Sequence, residues 1–566
     1  MYHWDSPLGV ITDSSGARIP LAQVAATSLS TNQSQTVVSD AQGSYLIRDV
    51  LPAHYKLTVQ RHGFRAINIP DFEVTALANV RLDVQLTVGD LTQTVTVSSD
   101  AVQVDTRDAS AGLLVDDRRV RDLPLNGRNI VDLAGLTPGV QNTNTTIQAN
   151  YTQRQIVVNG GRQTSVNFLL DGGSMQFFHR GQGLLLPPPD AVQEFRLVTS
   201  GVPAEYGRGF AVLSAVTRSG SNEFHGSLWE FLRNDDFDAR SFFATSVPTL
   251  RFNQFGGTVG GPIHKDKTFF FFSYEGLRIR QAEVSSSTVV PDAAERLGNF
   301  SELTKKIIDP TTKLSFAGNS IPQSDLDPVA LTLLNKYVPT ANLPNGQYVA
   351  QATSPTNGNQ LLARVDHSFS DANRLNIRYF QNLNNGLDPL SSSSFAGYSP
   401  IQTSLYERVL TVDDQHTFSP RLIGELRASY TRFNYLENNT ARSTLLDLGG
   451  TDFVPGGGPT TLPTININGY FNLGPGRDRQ RLSEDEDLAG NLSYDRGAHE
   501  IKVGVDLDHN RFLYRDNRNT GGTFKFDGSV SGNALADFLL GKAVTLSQST
   551  PINTDQRYLV DCPGDT

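Results

Sequence analysis

From His225 to Leu559 apolar and polar residues alternate in runs of strand length, and the turns between the runs are alternately short and long. Leu375, Ile377 and Tyr379 fall on one face of an extended chain, with Arg374, Asn376 and Arg378 on the other. Leu422, Gly424, Leu426, Ala428 and Tyr430 likewise oppose Glu425, Arg427, Ser429 and Thr431. Ile501, Val503, Val505 and Leu507 oppose Glu500, Lys502, Gly504 and Asp506. A period of two is that of a strand. The runs pair as hairpins: 251–261 with 267–277 about the turn Pro262–Asp266, 361–369 with 374–380, 406–418 with 422–433, and 488–494 with 500–507. Long polar segments, at about 278–360, 381–405, 434–485 and 508–552, separate them.

A soluble sheet with one wet face also alternates. Length and connectivity favour a membrane instead. Strands of about 9–11 residues cross a bilayer when tilted, and short turns on one side with long loops on the other are the arrangement of an outer-membrane barrel. An Arg facing lipid at mid-bilayer costs about 2–4 kcal/mol, so the charged rows are expected to face the lumen. No apolar run is long enough for a transmembrane helix.

Composition agrees and narrows the function. The 49 Gly, 31 Phe and 17 Tyr suit β structure rich in turns, and 566 residues imply two or more domains. A net charge of −10 argues against a nucleic-acid partner. The single cysteine, Cys562, rules out a disulfide within the chain and argues against a cysteine metal site. None of the ten His is followed by Glu at the third position, and there is no Gly-x-Ser-x-Gly elbow or phosphate loop. No catalytic, cofactor-binding or metal-ligating residue is therefore nominated, and the chain is not expected to be an enzyme. His264 and Asp266 fall in a hairpin turn, where solvation is the expected state.

Residues 8–88 read as short strands between turns, at Val10 and Ile11, Val24 to Leu29, Tyr45 and Ile47, and Tyr55, Leu57 and Val59. That spacing suits a sandwich of about seven strands. Gly9-Val10-Ile11-Thr12-Asp13, Gly16, Ile19-Pro20, Ala22, Asp40, Gly43, Tyr45, Pro52, Tyr55 and Gly63-Phe64 resemble the carboxypeptidase-regulatory-like domain. Residues 89–122 form a polar connector. Within it Thr94, Val95, Thr96, Val97 and Ser98 make a β-prone run, either a last sandwich strand or a docking strand for another protein's sheet.

Residues 123–224 have the punctuation of a compact β-rich domain. Asn126-Gly127-Arg128, Thr137-Pro138-Gly139, Asn159-Gly160-Gly161-Arg162, Asp171-Gly172-Gly173, Glu205-Tyr206-Gly207 and Thr217-Arg218-Ser219-Gly220 follow in order. Asn159-Gly160 and Asp171-Gly172 supply turns that need positive φ, between short strands at 155–158, 166–170, 194–199 and 211–218. These motifs resemble the plug of TonB-dependent outer-membrane transporters, in the Oar-like branch with an N-terminal regulatory-like sandwich. Phe252–Gly257, Gly260-Gly261-Pro262, Asp266–Phe271 and Tyr274-Glu275-Gly276 resemble the first barrel hairpin of the same group.

The expected fold is mainly β: a sandwich (8–88), the connector (89–122), a small α+β plug (123–224), barrel strands (225–559) and an off-pattern tail (560–566). About ten strands are countable, where plugged transporters use twenty-two. The chain is therefore expected to be a truncated copy that also lacks its signal peptide. The resemblance implies an outer-membrane protein with sandwich and plug on the periplasmic side. It implies a TonB-type coupling protein acting near Thr94–Ser98, no cofactor, and a bulky imported ligand: oligosaccharide, peptide or iron chelate. The alternative is a surface β protein for adhesion or carbohydrate binding, with the sandwich as its working part.

Overall fold

The computed structural model describes residues 8–47, 50–75, 80–89, 94–96, 110–125, 127–142, 155–177, 182–203, 206, 209–240, 247–391, 393–419, 421–451, 461–496, 499–517 and 519–560. Val97, Ser98, Asn126, Glu205, Gly207 and residues 561–566 lie outside these.

Ten long strands form one antiparallel wall, each paired with its neighbour in sequence. They are β1 (His225–Asn234), β2 (Leu250–His264), β3 (Thr268–Val284), β4 (Gln351–Ser370) and β5 (Asn373–Asp388). Then come β6 (Ile401–Ser419), β7 (Leu422–Asn439), β8 (Arg479–Arg496), β9 (His499–Asp516) and β10 (Ile552–Val560). Among the described residues β1 and β10 are the two edges, and the sheet does not close on itself. The alternation sorts as expected. Val365, Ile377, Leu410 and Leu426 are exposed on the outer face, while Arg364, Arg378, Asp413 and Arg427 are buried on the inner one.

The strands are longer than their alternation suggests. β4 to β9 run for 16–20 residues, not the nine to eleven expected. At about 3.4 Å per residue they overreach an apolar band about 25 Å tall. The apolar row marks only the part of each strand that faces lipid; beyond it the ladder continues between polar residues and leaves no hydropathy trace. At the first hairpin β2 continues through Pro262, which the sequence reading places in the turn. The register shifts between Pro262 and His264, a bulge that accommodates a residue with no N–H to donate.

Against the inner face of the wall packs a five-stranded sheet, in the order Gly173–Ser174, Val166–Leu170, Ala211–Thr217, Val192–Ser200 and Ala111–Val115. Val166–Leu170 and Ala211–Thr217 run parallel. The edge strand Ala111–Val115 and α1 (Asp117–Asp122) belong to this middle unit, although their polar flanks read as connector. Asp116 caps α1, accepting from Arg119 N at 2.8 Å.

The N-terminal strands form two facing sheets, Ser44–Leu46 / Leu8–Asp13 / Val84–Leu86 and Ser34–Val38 / Gln23–Ser28 / Ala53–Gln60 / Ala66–Val74 / Thr94–Thr96. Ile11, Val24, Ile47, Leu57, Val59 and Leu86 fill the core between them. Tyr45 donates to Leu82 O at 2.6 Å inside it, and burial beside Asp83 pushes that phenol well above its usual pKa. The sandwich touches the short-turn end of the wall, where Gln33 Nε2 donates to Ser368 Oγ at 2.6 Å.

The opposite end carries a surprise. The segments between wall strands, read as polar loops, share an apolar core of their own. α2 (Pro328–Tyr337) is capped by Asp327, which accepts from Val329 N and Ala330 N at 2.9 Å, with Pro328 at the first helical position. It packs with α3 (Ala534–Leu539), Phe300, Phe395, Tyr398, Ile465 and Phe471. A four-stranded sheet, Asn472–Leu473 / Thr464–Ile467 / Thr523–Phe526 / Thr545–Ser547, completes this cap.

Candidate functional site on the inner face of the wall

The two turns singled out in the sequence adopt the backbone their residues permit. Asn159 and Gly160 have φ of 50° and 72°, Asp171 and Gly172 of 48° and 79°. Only Gly, Asn and Asp visit this left-handed region at low cost. Asn159 Nδ2 donates to Thr199 O at 3.1 Å, which ties its turn to the middle sheet. Tyr206 is buried against Val198 and Val212. Arg162 is exposed. Asp171 goes further. It is 1% exposed and accepts from Thr217 N at 2.8 Å and Thr217 Oγ1 at 2.6 Å.

Those two residues meet the wall. Arg378 Nη1 of β5 lies 3.1 Å from Asp171 Oδ1, and Nη2 donates to Asp171 O at 3.0 Å. Arg364 Nη1 of β4 donates to Thr217 O at 2.7 Å, while its Nε bonds both oxygens of Asp366 at 2.9 Å. Ser219 Oγ donates to the same Asp366 at 2.7 Å. A second anchor is Arg128, beside Gly127 in the first motif. It pairs with Asp190 within the middle unit and reaches Glu275 of β3 at 3.3 Å, with Trp229 and Phe231 of β1 against its guanidinium at 5.2 and 4.5 Å. Gln254 donates to the other oxygen of Glu275 at 2.8 Å.

Farther from the short turns the inner face becomes apolar. Leu362, Phe380, Val409, Phe433 and Phe512 form a belt that joins the core of the middle unit. Phe177 enters it, 4.6 Å from Phe433 and 6.0 Å from Phe512 between ring centroids. Between the two belts Gly173 approaches so closely that a Cβ there would lie 2.6 Å from Thr411 Oγ1. Thr431 Oγ1 donates to Ser174 O at 2.6 Å.

The geometry thus joins Arg128 and Asp171 of the predicted positions to the wall, and leaves Asn159, Gly160, Arg162, Gly172 and Tyr206 within the middle unit. Thr94, Val95 and Thr96 sit elsewhere. They pair in parallel with Ala66, Ile67 and Asn68 as the edge strand of the sandwich. The wall partners Arg364, Asp366 and Arg378 were not singled out as site residues. Their signal was present all the same, as charges on the row opposite the apolar one. Outside the wall, Arg218 pairs with Asp117 at the start of α1, and burial pushes its guanidinium down to about 10.

Chemically this is an interface of hydrogen bonds and ion pairs. Among the described residues no three His, Cys, Asp or Glu side chains could hold a metal ion. Residues 216–560 match the family described as outer membrane beta barrel domain, and residues 8–87 match the carboxypeptidase regulatory-like domain. Over 286 residues the chain is 29% identical to the TonB-dependent transporter Oar of Myxococcus xanthus, a match covering 47% of this chain and 26% of that protein. Among solved structures it is similar to the outer membrane transporter YddB from Escherichia coli, with a TM-score of 0.48, 9% identity, and coverage of 79% of this chain and 52% of that one. The siderophore receptor PirA from Acinetobacter baumannii matches with a TM-score of 0.41 and 14% identity over 71% of this chain and 48% of its own.

Proposed function

We propose a function from one premise: the chain belongs to the outer membrane beta barrel domain family, so its wall lies in an outer membrane. The middle unit is then a plug, and the protein a receptor that imports a bulky nutrient under the pull of a TonB-type protein. The observation that carries this reading is the contact between the middle unit and the wall. Asp171–Arg378, Thr217–Arg364 and Arg128–Glu275 are polar contacts that water can replace, and above them Phe177 meets the apolar belt of the wall, which runs on into the core of the middle unit. The middle unit keeps a sheet of its own, which among the described residues shares no strand pairing with the wall, so it can shift against the wall without unpairing a strand. Similarity to the Oar transporter supports the coupling. Contact of the sandwich with the short-turn end supports a periplasmic position for sandwich and plug.

The coupling segment is 94–98. Its described part is a three-residue edge strand paired along Ala66–Asn68, short enough for a TonB-type protein to displace and pair with. The cargo is an oligosaccharide, a peptide or an iron chelate. Capture of the purified chain on the immobilised periplasmic part of a TonB-type protein tests the assignment. Deleting residues 94–98 is expected to lower capture at least about tenfold. Undiminished capture would refute it.

A further inference from the structure

Charge on the inner face is matched pair by pair on one side, while on the other carboxylates are in excess, Asp413 standing opposite Arg427 and within electrostatic reach of Arg364 and Arg378. On β4 and β5 each buried guanidinium has its carboxylate, Arg364 with Asp366 and Arg378 with Asp171. On β6 to β9 the carboxylates Asp413, Glu425, Asp485, Asp487, Asp506 and Asp508 share that face with Arg427, which reaches Asp487 at 3.4 Å. Asp487 stands directly opposite Asp508 across β8 and β9. Like charges in that position repel unless a cation lies between them.

Several buried polar atoms of this patch have no hydrogen-bond partner among the described residues. Asp413 is 0% exposed, and its Oδ2 accepts nothing. Asp485 Oδ1 is in the same state. Asn510, opposite Asp485 and 1% exposed, leaves both its amide oxygen and its amide nitrogen unpaired. A buried polar atom left so costs about 1–3 kcal/mol, which a ligand of the right chemistry recovers.

We propose that the inner face of β6 to β9 binds a small linear organic polycation through its ammonium groups. Each ammonium brings three donors and a positive charge, which is what unpaired carboxylate oxygens lack. A metal ion fits poorly, because no three carboxylates among the described residues converge on one point. The patch crosses four strands at about 4.8 Å spacing, or about 14 Å, the reach of a chain with several amines. It runs from buried Asp413 and Asp485 to exposed Asp506, which gives the ligand a way in. As a station for cargo the site rests on the transport reading; binding itself is measurable without transport.

The test is calorimetric titration of the detergent-solubilised chain with spermidine at low salt. Saturable binding is expected. Asp413→Asn with Asp485→Asn should weaken it at least about tenfold, and Asp506→Asn, at the exposed end, about threefold. Arg427→Gln removes the competing cation and should tighten binding about threefold, a change of sign that a merely structural role does not produce. Glu486→Gln, on the outer face beside His509, should leave it unaltered. No saturable heat with the unaltered chain overturns the proposal. So does displacement of spermidine by magnesium at equal charge concentration, which would mean simple screening. Failure here leaves capture by the TonB-type protein untouched, and failure of that capture leaves spermidine binding untouched.

Discussion

The two halves of the inner face meet in one cross-strand row, from Arg364 and Arg378 through Thr411 and Ser429 to Asp487 and Asp508, and use the same residue types to opposite ends. On β3 to β5 the charges are complements of the middle unit: Glu275 takes Arg128, Arg378 takes Asp171 and Arg364 takes Thr217 O. On β6 to β9 the middle unit presents Gly173 and Ser174, which carry no charge to offer. Acids are in excess there: Asp487 faces Asp508, and Asp413 faces Arg427. A charged row on a barrel wall is therefore not one kind of feature. Half of this one is an adhesive for the proposed plug, and the other half is a surface whose charge awaits something else.

The largest effect should come from breaking the adhesive half. Asp171→Asn keeps the left-handed turn, since Asn tolerates positive φ, but leaves Arg378 buried beside a neutral group. The expected loss is about 3–5 kcal/mol, read from denaturant unfolding of the solubilised chain. Arg378→Met alone should cost a similar amount by stranding Asp171. The double variant should cost clearly less than the two together, because it strands no charge. Strict additivity would mean that the pair is not coupled, and the contrast between the halves would fail at its strongest point.

These partners show what a sequence can and cannot display. Asp171 was legible because its turn needs positive φ, and Arg378 because its row is the polar one. That they meet was not, since 207 residues separate them and nothing local links the two. The wall itself was legible for the same reason its ends were not. Lipid on one side enforces a period of two through Leu375, Ile377 and Tyr379, and no such constraint acts once the strand leaves the apolar band. The cap was hidden more thoroughly. Its core gathers Phe300, Leu334, Tyr398, Ile465 and Phe538 from four separate segments, none with a helical or strand period of its own strong enough to stand out among polar neighbours. Tyr398, whose hydroxyl donates to Pro463 O at 2.6 Å, has no local reason to be buried.

A smaller effect is expected where the halves join. An added methyl at Gly173 would meet Thr411 Oγ1 at 2.6 Å and Ser429 Cβ at 3.5 Å. Thr411 is stiff about χ1 and cannot swing clear cheaply, so the turn must withdraw from the wall. Gly173→Ala should cost about 1–3 kcal/mol and make the 171–177 segment more open to protease. Unchanged digestion would mean that the close approach does not hold the middle unit in place.

The smallest effect should carry the opposite sign. Asp508→Asn removes one member of the pair that opposes Asp487 across β8 and β9, and relieves its contact with the neighbouring Asp485 as well. Relief of that repulsion should stabilise the ligand-free chain by less than about 1 kcal/mol. The same change of carboxylate to amide that is damaging at Asp171 is thus expected to help at Asp508. The difference lies in what faces each group: a guanidinium in one case, another carboxylate in the other. Added spermidine should reverse the order, because the unaltered chain gains more from the cation than the variant does. A variant that is less stable in both conditions would place Asp508 with the adhesive charges, and the division of the wall into two halves would have to be redrawn between β8 and β9.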